Sequence, residues 1–134
     1  GYMTFKKWAV EFIDTKAFQR LRNIKQLGNS YYIFPGACHN HFEHSLGTAH
    51  LAYTLTKKLL EQPGIERVNS NLEYVTLAAL CHDLEHGLFS PVFDGDWKHE
   101  NGSEKMFDYL YDKIETHSID LSTDDLKFIK NLIK

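Results

Sequence analysis

Leu80-Cys81-His82-Asp83-Leu84-Glu85-His86-Gly87 sets an imidazole beside a carboxylate at the end of a nearly unbroken apolar run, Val75 to Cys81. Burying the two together is costly unless each has a partner. A metal ion, or a proton they share, is the natural one. His86 follows His82 by one turn, and His44 lies one helix earlier in Asn40-His41-Phe42-Glu43-His44-Ser45. Adjacent residues of a helix point about 100° apart, so His82 and Asp83 do not share a straight helical face. At a helix end both can converge on one point, with His44 reaching across from the neighbouring helix. Neutral imidazoles plus a carboxylate, with open positions left over, suit Zn, Mn or Fe and leave room for an activated water. A lone histidine here would read as a hydrogen-bonded core residue. Three histidines around one aspartate reverse that preference.

Working outward, the chain reads as helices. Phe5, Trp8, Ala9 and Phe12 have helical spacing up to Ile13. Asp14-Thr15 supplies an N-cap, and Phe18 to Leu27 continues as an amphipathic helix that Gly28-Asn29 ends. Tyr31-Tyr32-Ile33-Phe34 is the single short β-like run, broken by Pro35-Gly36. Asn40 caps a helix running to about Leu60, with Phe42, Leu46, Ala49, Tyr53 and Leu60 as its stripe and Leu51, Leu55 and Leu59 thickening it. Ser70-Asn71-Leu72-Glu73 is a capping box, and the helix it opens is apolar almost all round, hence central. From His86 to Asn101 no period is evident; a loop of that length in a small domain is usually functional. Asn101 and Glu104 open a helix with Met106, Phe107, Leu110 and Ile114 inward. Ser122 caps a last one containing Leu126, Ile129 and Leu132. The expected fold class is all-α.

At 134 residues the chain is one domain, and 43% apolar with 25% charged residues is ordinary globular composition. A net charge of -3 argues against a mainly electrostatic nucleic-acid binder. Cys38 and Cys81 are too few for a disulfide scaffold, and Cys81 reads as packing. With no signal peptide and no apolar run of membrane-spanning length, an intracellular setting is expected, nucleus or cytoplasm undecided. Of eight histidines, all but His117 fall between His39 and His99. His99, beside Trp97 and Lys98, reads equally as an anion contact or a surface residue. Arg20, Arg22, Lys25 and Gln26 form two overlapping polar faces, read as solvated helix surface in preference to a phosphate contact.

A longer text now carries a resemblance: Asp14-Thr15, Phe18-Gln19-Arg20-Leu21-Arg22, Ile24-Lys25-Gln26-Leu27-Gly28, Tyr31-Tyr32, Phe34-Pro35-Gly36-Ala37, His39-Asn40 and Phe42-Glu43-His44-Ser45-Leu46-Gly47. It continues with Cys81-His82-Asp83-Leu84, His86-Gly87, Phe89-Ser90, Phe93-Asp94, Trp97 and His99-Glu100. The chain resembles the HD-domain superfamily of metal-dependent phosphohydrolases. Within it, the similarity is to the catalytic core of the deoxynucleoside triphosphate triphosphohydrolases that carry a sterile alpha motif. The resemblance implies a helical bundle over 1–134, the N-terminal part of a longer core, and hydrolysis of a dNTP to deoxynucleoside and triphosphate. By the same resemblance, His44, His82 and Asp83 are metal ligands, while His86, His99 and Asp94 serve the chemistry. Gln26 and Leu27 contact the sugar. Asp14, Gln19 and Arg22 hold an activating GTP or dGTP, and Ile33 and Phe34 lie near a second nucleotide that helps assemble a dimer or tetramer. Mg accompanies the nucleotide. His41, counted with Gln26 and Leu27 among the substrate contacts, stands where the family has a phosphate-contacting arginine, Pro91 where it has a histidine, and Glu85 where it has a glycine. The family's fourth metal ligand is an aspartate further downstream than these 134 residues extend. These departures keep open an HD-type phosphodiesterase acting on another nucleotide, and a catalytically impaired, nucleotide-responsive assembly module.

Overall fold

In the computed structural model, which describes residues 2–65, 69–86, 99–114 and 118–133, helix α1 (Lys7–Ile13) buries Trp8, Ala9, Phe12 and Ile13. Thr15 caps α2 (Lys16–Gln19): its hydroxyl accepts from the Phe18 N–H at 3.3 Å and donates to the Phe12 carbonyl at 2.7 Å. The helix expected to run on to Leu27 does not. It tightens into a 3-10 turn over Arg20–Asn23, and Ile24 is extended (φ -109°, ψ 106°). The cause is tertiary pairing. The Gln26 N–H donates to the His39 carbonyl at 3.0 Å and the His41 N–H to the Ile24 carbonyl at 2.9 Å, around an antiparallel Lys25–Asn40 bridge. Gly28, at φ +52°, takes a left-handed conformation that costs glycine little, and opens a second 3-10 turn, Gly28–Tyr32. The β-like reading of residues 31–34 is therefore corrected. No strand occurs among the described residues, and Tyr32, Ile33 and Phe34 are exposed.

Helix α3 (His41–Leu60) starts at a full capping box between Asn40 and Glu43, which fixes where His41 and His44 emerge. Phe42, Ser45 and Ala49 face inward; Leu51, Leu55 and Leu59 are exposed (69%, 60% and 45%), on another face from the one expected. Helix α4 (Asn69–Cys81) is the central element, packed chiefly against α3 and α6 (Thr123–Ile133), with Thr76, Leu77, Ala78, Leu80 and Cys81 buried. It starts one residue ahead of the expected serine cap. Helix α5 (His99–Lys113) brings Phe107 and Leu110 into the core, where the Phe107 ring stacks on Phe12 with centroids 5.8 Å apart. In α6, Ile133 fills the place expected of Leu132, which is 43% exposed. Of the expectations, those on Pro91, Asp94 and the His99 side chain lie outside the described residues. The all-α expectation holds.

Candidate metal centre

Helix α4 ends at Cys81, and a turn over residues 82–85 carries the chain away. The last four carbonyls of a helix lack intrahelical partners. The His82 ring supplies one, its Nδ1 lying 2.8 Å from the Ala79 carbonyl oxygen. A carbonyl only accepts, so Nδ1 bears the hydrogen and, in the neutral ring, Nε2 keeps its lone pair. That lone pair faces Asp83 Oδ1 at 3.3 Å and His44 Nε2 at 3.3 Å, while His44 Nε2 lies 3.4 Å from Asp83 Oδ2. An acceptor against a carboxylate is repulsive unless a metal ion or a proton sits between them. A tetrahedral ion with bonds of about 2.1 Å separates its ligands by about 3.4 Å. The three separations have about that size, the two imidazoles meeting different oxygens of Asp83. His44, His82 and Asp83 together can hold a divalent ion.

The electrostatics prepare the donors. Burial alone would raise the Asp83 pKa. Hydrogen bonds from His41 and His86, with the fields of His82 and His86, outweigh it and hold the carboxyl well below the usual range. Burial lowers the pKa of His44, against the opposing pull of Asp83. The pair thus favours an ionised carboxylate beside a neutral imidazole, the protonation states a metal requires. The buried Cys81 thiol is pushed up and is no nucleophile.

The other expected residues fall into two groups. His86 joins the centre, its Nε2 3.2 Å from Asp83 Oδ1. So does His41, 3% exposed, whose Nδ1 is 3.0 Å from Asp83 Oδ2 and whose ring stacks on His86 at 4.2 Å. Gln26 and Leu27 lie instead in the segment leading from the Lys25–Asn40 bridge. Gln19 and Arg22 are joined by an Arg22 Nε donation to Gln19 Oε1 at 2.7 Å; Gln19 Nε2 donates to the Ile13 carbonyl next to Asp14, and the Arg22 guanidinium covers the Phe42 ring at 3.6 Å. Ile33 and Phe34 are exposed on the loop before α3.

Two residues that the sequence left as surface or unremarked hold the turn. Arg20 donates through Nη1 to the His86 carbonyl at 2.7 Å and through Nη2 to the Leu84 carbonyl. Ser103, buried on α5, donates to the His82 carbonyl at 2.6 Å. Beside it Gly102 makes room for Glu85: a Cβ there would lie 1.6 Å from Glu85 Oε2 and 2.9 Å from its Cβ.

The chain is similar to known proteins along nearly its whole length. The chain is 44% identical over 149 residues to the deoxynucleoside triphosphate triphosphohydrolase SAMHD1 of Mus musculus, an overlap covering 99% of this chain and 23% of that protein. For SAMHD1 of Homo sapiens the figures are 43%, 99% and 24%. For the SAMHD1 homolog of Dictyostelium discoideum they are 39%, 100% and 28%. The chain thus spans about a quarter of the length of these curated relatives. The family model for the HD domain matches residues 41–131, a span that contains His44, His82, Asp83 and His86. The chain belongs to the HD domain family.

Proposed function

We propose that this chain is the metal-binding core of a phosphohydrolase that converts a deoxynucleoside triphosphate to deoxynucleoside and inorganic triphosphate. The observation that carries the reading is the His44–His82–Asp83 triangle, sized for one ion, in a chain that aligns with triphosphohydrolases along nearly its whole length. Zn, Mn or Fe suits these donors, and Mg suits the phosphates of the nucleotide. When bound, such an ion supplies Lewis acidity toward a phosphoryl oxygen and lowers the pKa of a coordinated water.

The residues of the chain do the rest. Asp83 stays ionised at neutral pH and neutralises part of the ion's charge. Through its bond to Ala79, His82 keeps one tautomer and one orientation. His86, held on Asp83 and stacked on His41, stands where an imidazole can take or give a proton beside the reacting phosphorus. Asp94 and His99 complete this chemistry in the proposal. Gln26 and Leu27 contact the sugar. Asp14, Gln19 and Arg22, of which Asp14 and Arg22 are exposed and Gln19 half-buried, hold an activating GTP or dGTP. Assembly into a dimer or tetramer, with Ile33 and Phe34 near a second nucleotide, belongs to the same reading.

The test is product analysis. Each dNTP, with Mn or Mg present, should release inorganic triphosphate, and His82→Ala with Asp83→Ala should lose both metal and turnover. Release of pyrophosphate or monophosphate alone would refute the substrate reading and favour the phosphodiesterase alternative. Turnover that survives the double substitution would refute the site.

A further inference from the structure

His41 is the buried histidine of the centre, and its mount is rigid. It follows the Asn40 cap of α3, and its backbone N–H donates to the Ile24 carbonyl at 2.9 Å. Its Nδ1 lies 3.0 Å from Asp83 Oδ2, and its ring stacks on His86 with centroids 4.2 Å apart. An ionised carboxylate only accepts, so Nδ1 carries the hydrogen. The other ring nitrogen, Nε2, is sealed from solvent and has no hydrogen-bond partner. Leaving it unpaired costs free energy, offset here by the bond from Nδ1 to a charged acceptor. A substrate oxygen therefore finds no nitrogen of His41 to meet. His44 and His82 are placed otherwise, with side chains 35% and 29% exposed against 4% for His41.

An arginine at position 41, as in the family pattern, has five donors and the length to reach past a carboxylate. The imidazole has one N–H, and Asp83 takes it. We propose that His41 is a positioning residue and not a phosphate contact: it fixes the Asp83 carboxylate through Nδ1 and the His86 ring through the stack. Partners of this kind orient the groups that touch the metal. The phosphates of the substrate are then bound without a permanent charge from residue 41. The inference rests on the metal site proposed above, and the measurement separates the two.

Mn(II) affinity of the intact, metal-stripped protein is read beside kcat and KM for dNTP hydrolysis at saturating Mn(II). His41→Phe keeps a buried ring against His86 but has no donor. It should weaken Mn(II) binding by about 10–100-fold and lower kcat, with KM held within about twofold. His41→Asn carries an amide donor close to the place of Nδ1 and should recover most of the lost affinity. A merely structural ring predicts the opposite order, since asparagine leaves the larger cavity. Affinities are taken on folded, monodisperse protein, and His41→Leu, also without a donor, repeats the test should the phenylalanine variant not fold. Unchanged Mn(II) affinity in the variant without a donor, or equal loss in His41→Asn, overturns the proposal. So does a KM that rises many-fold at fixed Mn(II) affinity, the signature of a phosphate contact. Mn(II) binding without dNTP turnover in the unaltered protein refutes the substrate reading and leaves the affinity comparison decisive. No Mn(II) binding in the unaltered protein overturns both.

Discussion

Arg20→Ala removes a side chain that meets the site only through main-chain carbonyls, yet it should weaken the metal site. The guanidinium donates to the carbonyls of Leu84 and His86, 64 and 66 residues away in sequence. Burial lowers the Arg20 pKa from its ordinary value, a cost that these two bonds offset. Hydrogen bonds from charged groups contribute roughly 1.5–3 kcal/mol each. Arg20 is only half-buried, and water can reach the carbonyls once it is gone, so the pair together should contribute about 2–3 kcal/mol. In a chain of this size that lowers the thermal midpoint by on the order of 10 °C. Arg20→Lys keeps the charge but offers one compact donor in place of a fork, and should recover less than half.

The consequence for metal follows from the turn. His86 and Asp83 face each other only while residues 84–86 hold their path, and Arg20 holds it from outside. Partners that orient ligands typically matter by 10–100-fold in metal affinity, and Arg20 acts one step further out, so about tenfold is expected. Urea unfolding of metal-free protein gives the first quantity, and Mn(II) titration gives the second. Surface substitutions without a structural role stay within about 0.5 kcal/mol. A stability change that small, with unchanged Mn affinity, would refute the clamp.

Acid should act on both pKa-shifted groups in one direction. The folded Asp83 pKa is depressed, so its contribution is full above about pH 4 and is lost as pH falls further. His44 is depressed from about 6.5, so the fold's preference for its neutral form is full above that pH and erodes below it. Metal-free protein should therefore hold its urea midpoint above pH 7 and lose stability below about 6.5; a rise on acidification would contradict these directions. Ser103→Ala leaves the His82 carbonyl without its donor and should cost about 1–2 kcal/mol by thermal melt. Gly102→Ala improves helix propensity by about 1 kcal/mol yet should destabilise, because Glu85 must move. Adding Glu85→Ala should rescue it in a double-mutant cycle, and additivity would refute that contact. Phe12→Ala, which opens a cavity against Phe107, should cost roughly 3–5 kcal/mol and leave little folded protein.

What the sequence reveals, and what it hides, divides along physical lines. The His82–Asp83 pair is legible because an apolar helix ending in two titratable residues leaves few ways to satisfy them. The capping box at Asn40 is legible because both partners lie within one turn. Arg20 is not legible: its acceptors are main-chain carbonyls, which every residue has and no sequence marks. The break at Ile24 is hidden for a related reason, since the pairing that ends the helix involves His39 and Asn40. Leu51, Leu55 and Leu59 share a helical stripe with each other, but periodicity alone does not say which apolar stripe meets α4. For His41, the sequence shows an arginine missing from the family pattern; only the fold puts an imidazole on Asp83 in its place.

The end of α4 joins stability to chemistry through a small set of bonds. A helix C-terminus must find donors for its carbonyls or face water. Here the donors are a ligand ring for Ala79, Ser103 for His82, and Arg20 for Leu84 and His86. The bond that caps the helix is therefore the bond that selects the His82 tautomer, and the groups that finish the turn aim His86. Metal binding draws on an arrangement that folding has already ordered, so little further ordering cost falls on the ion. The reverse holds as well. An ion that binds only this arrangement stabilises the fold by mass action, rising about 1.4 kcal/mol for each tenfold excess over its dissociation constant. Substitutions at Arg20 or Ser103 should then be partly masked at saturating Mn(II) and fully expressed without it, an outcome that independent folding and binding would not produce.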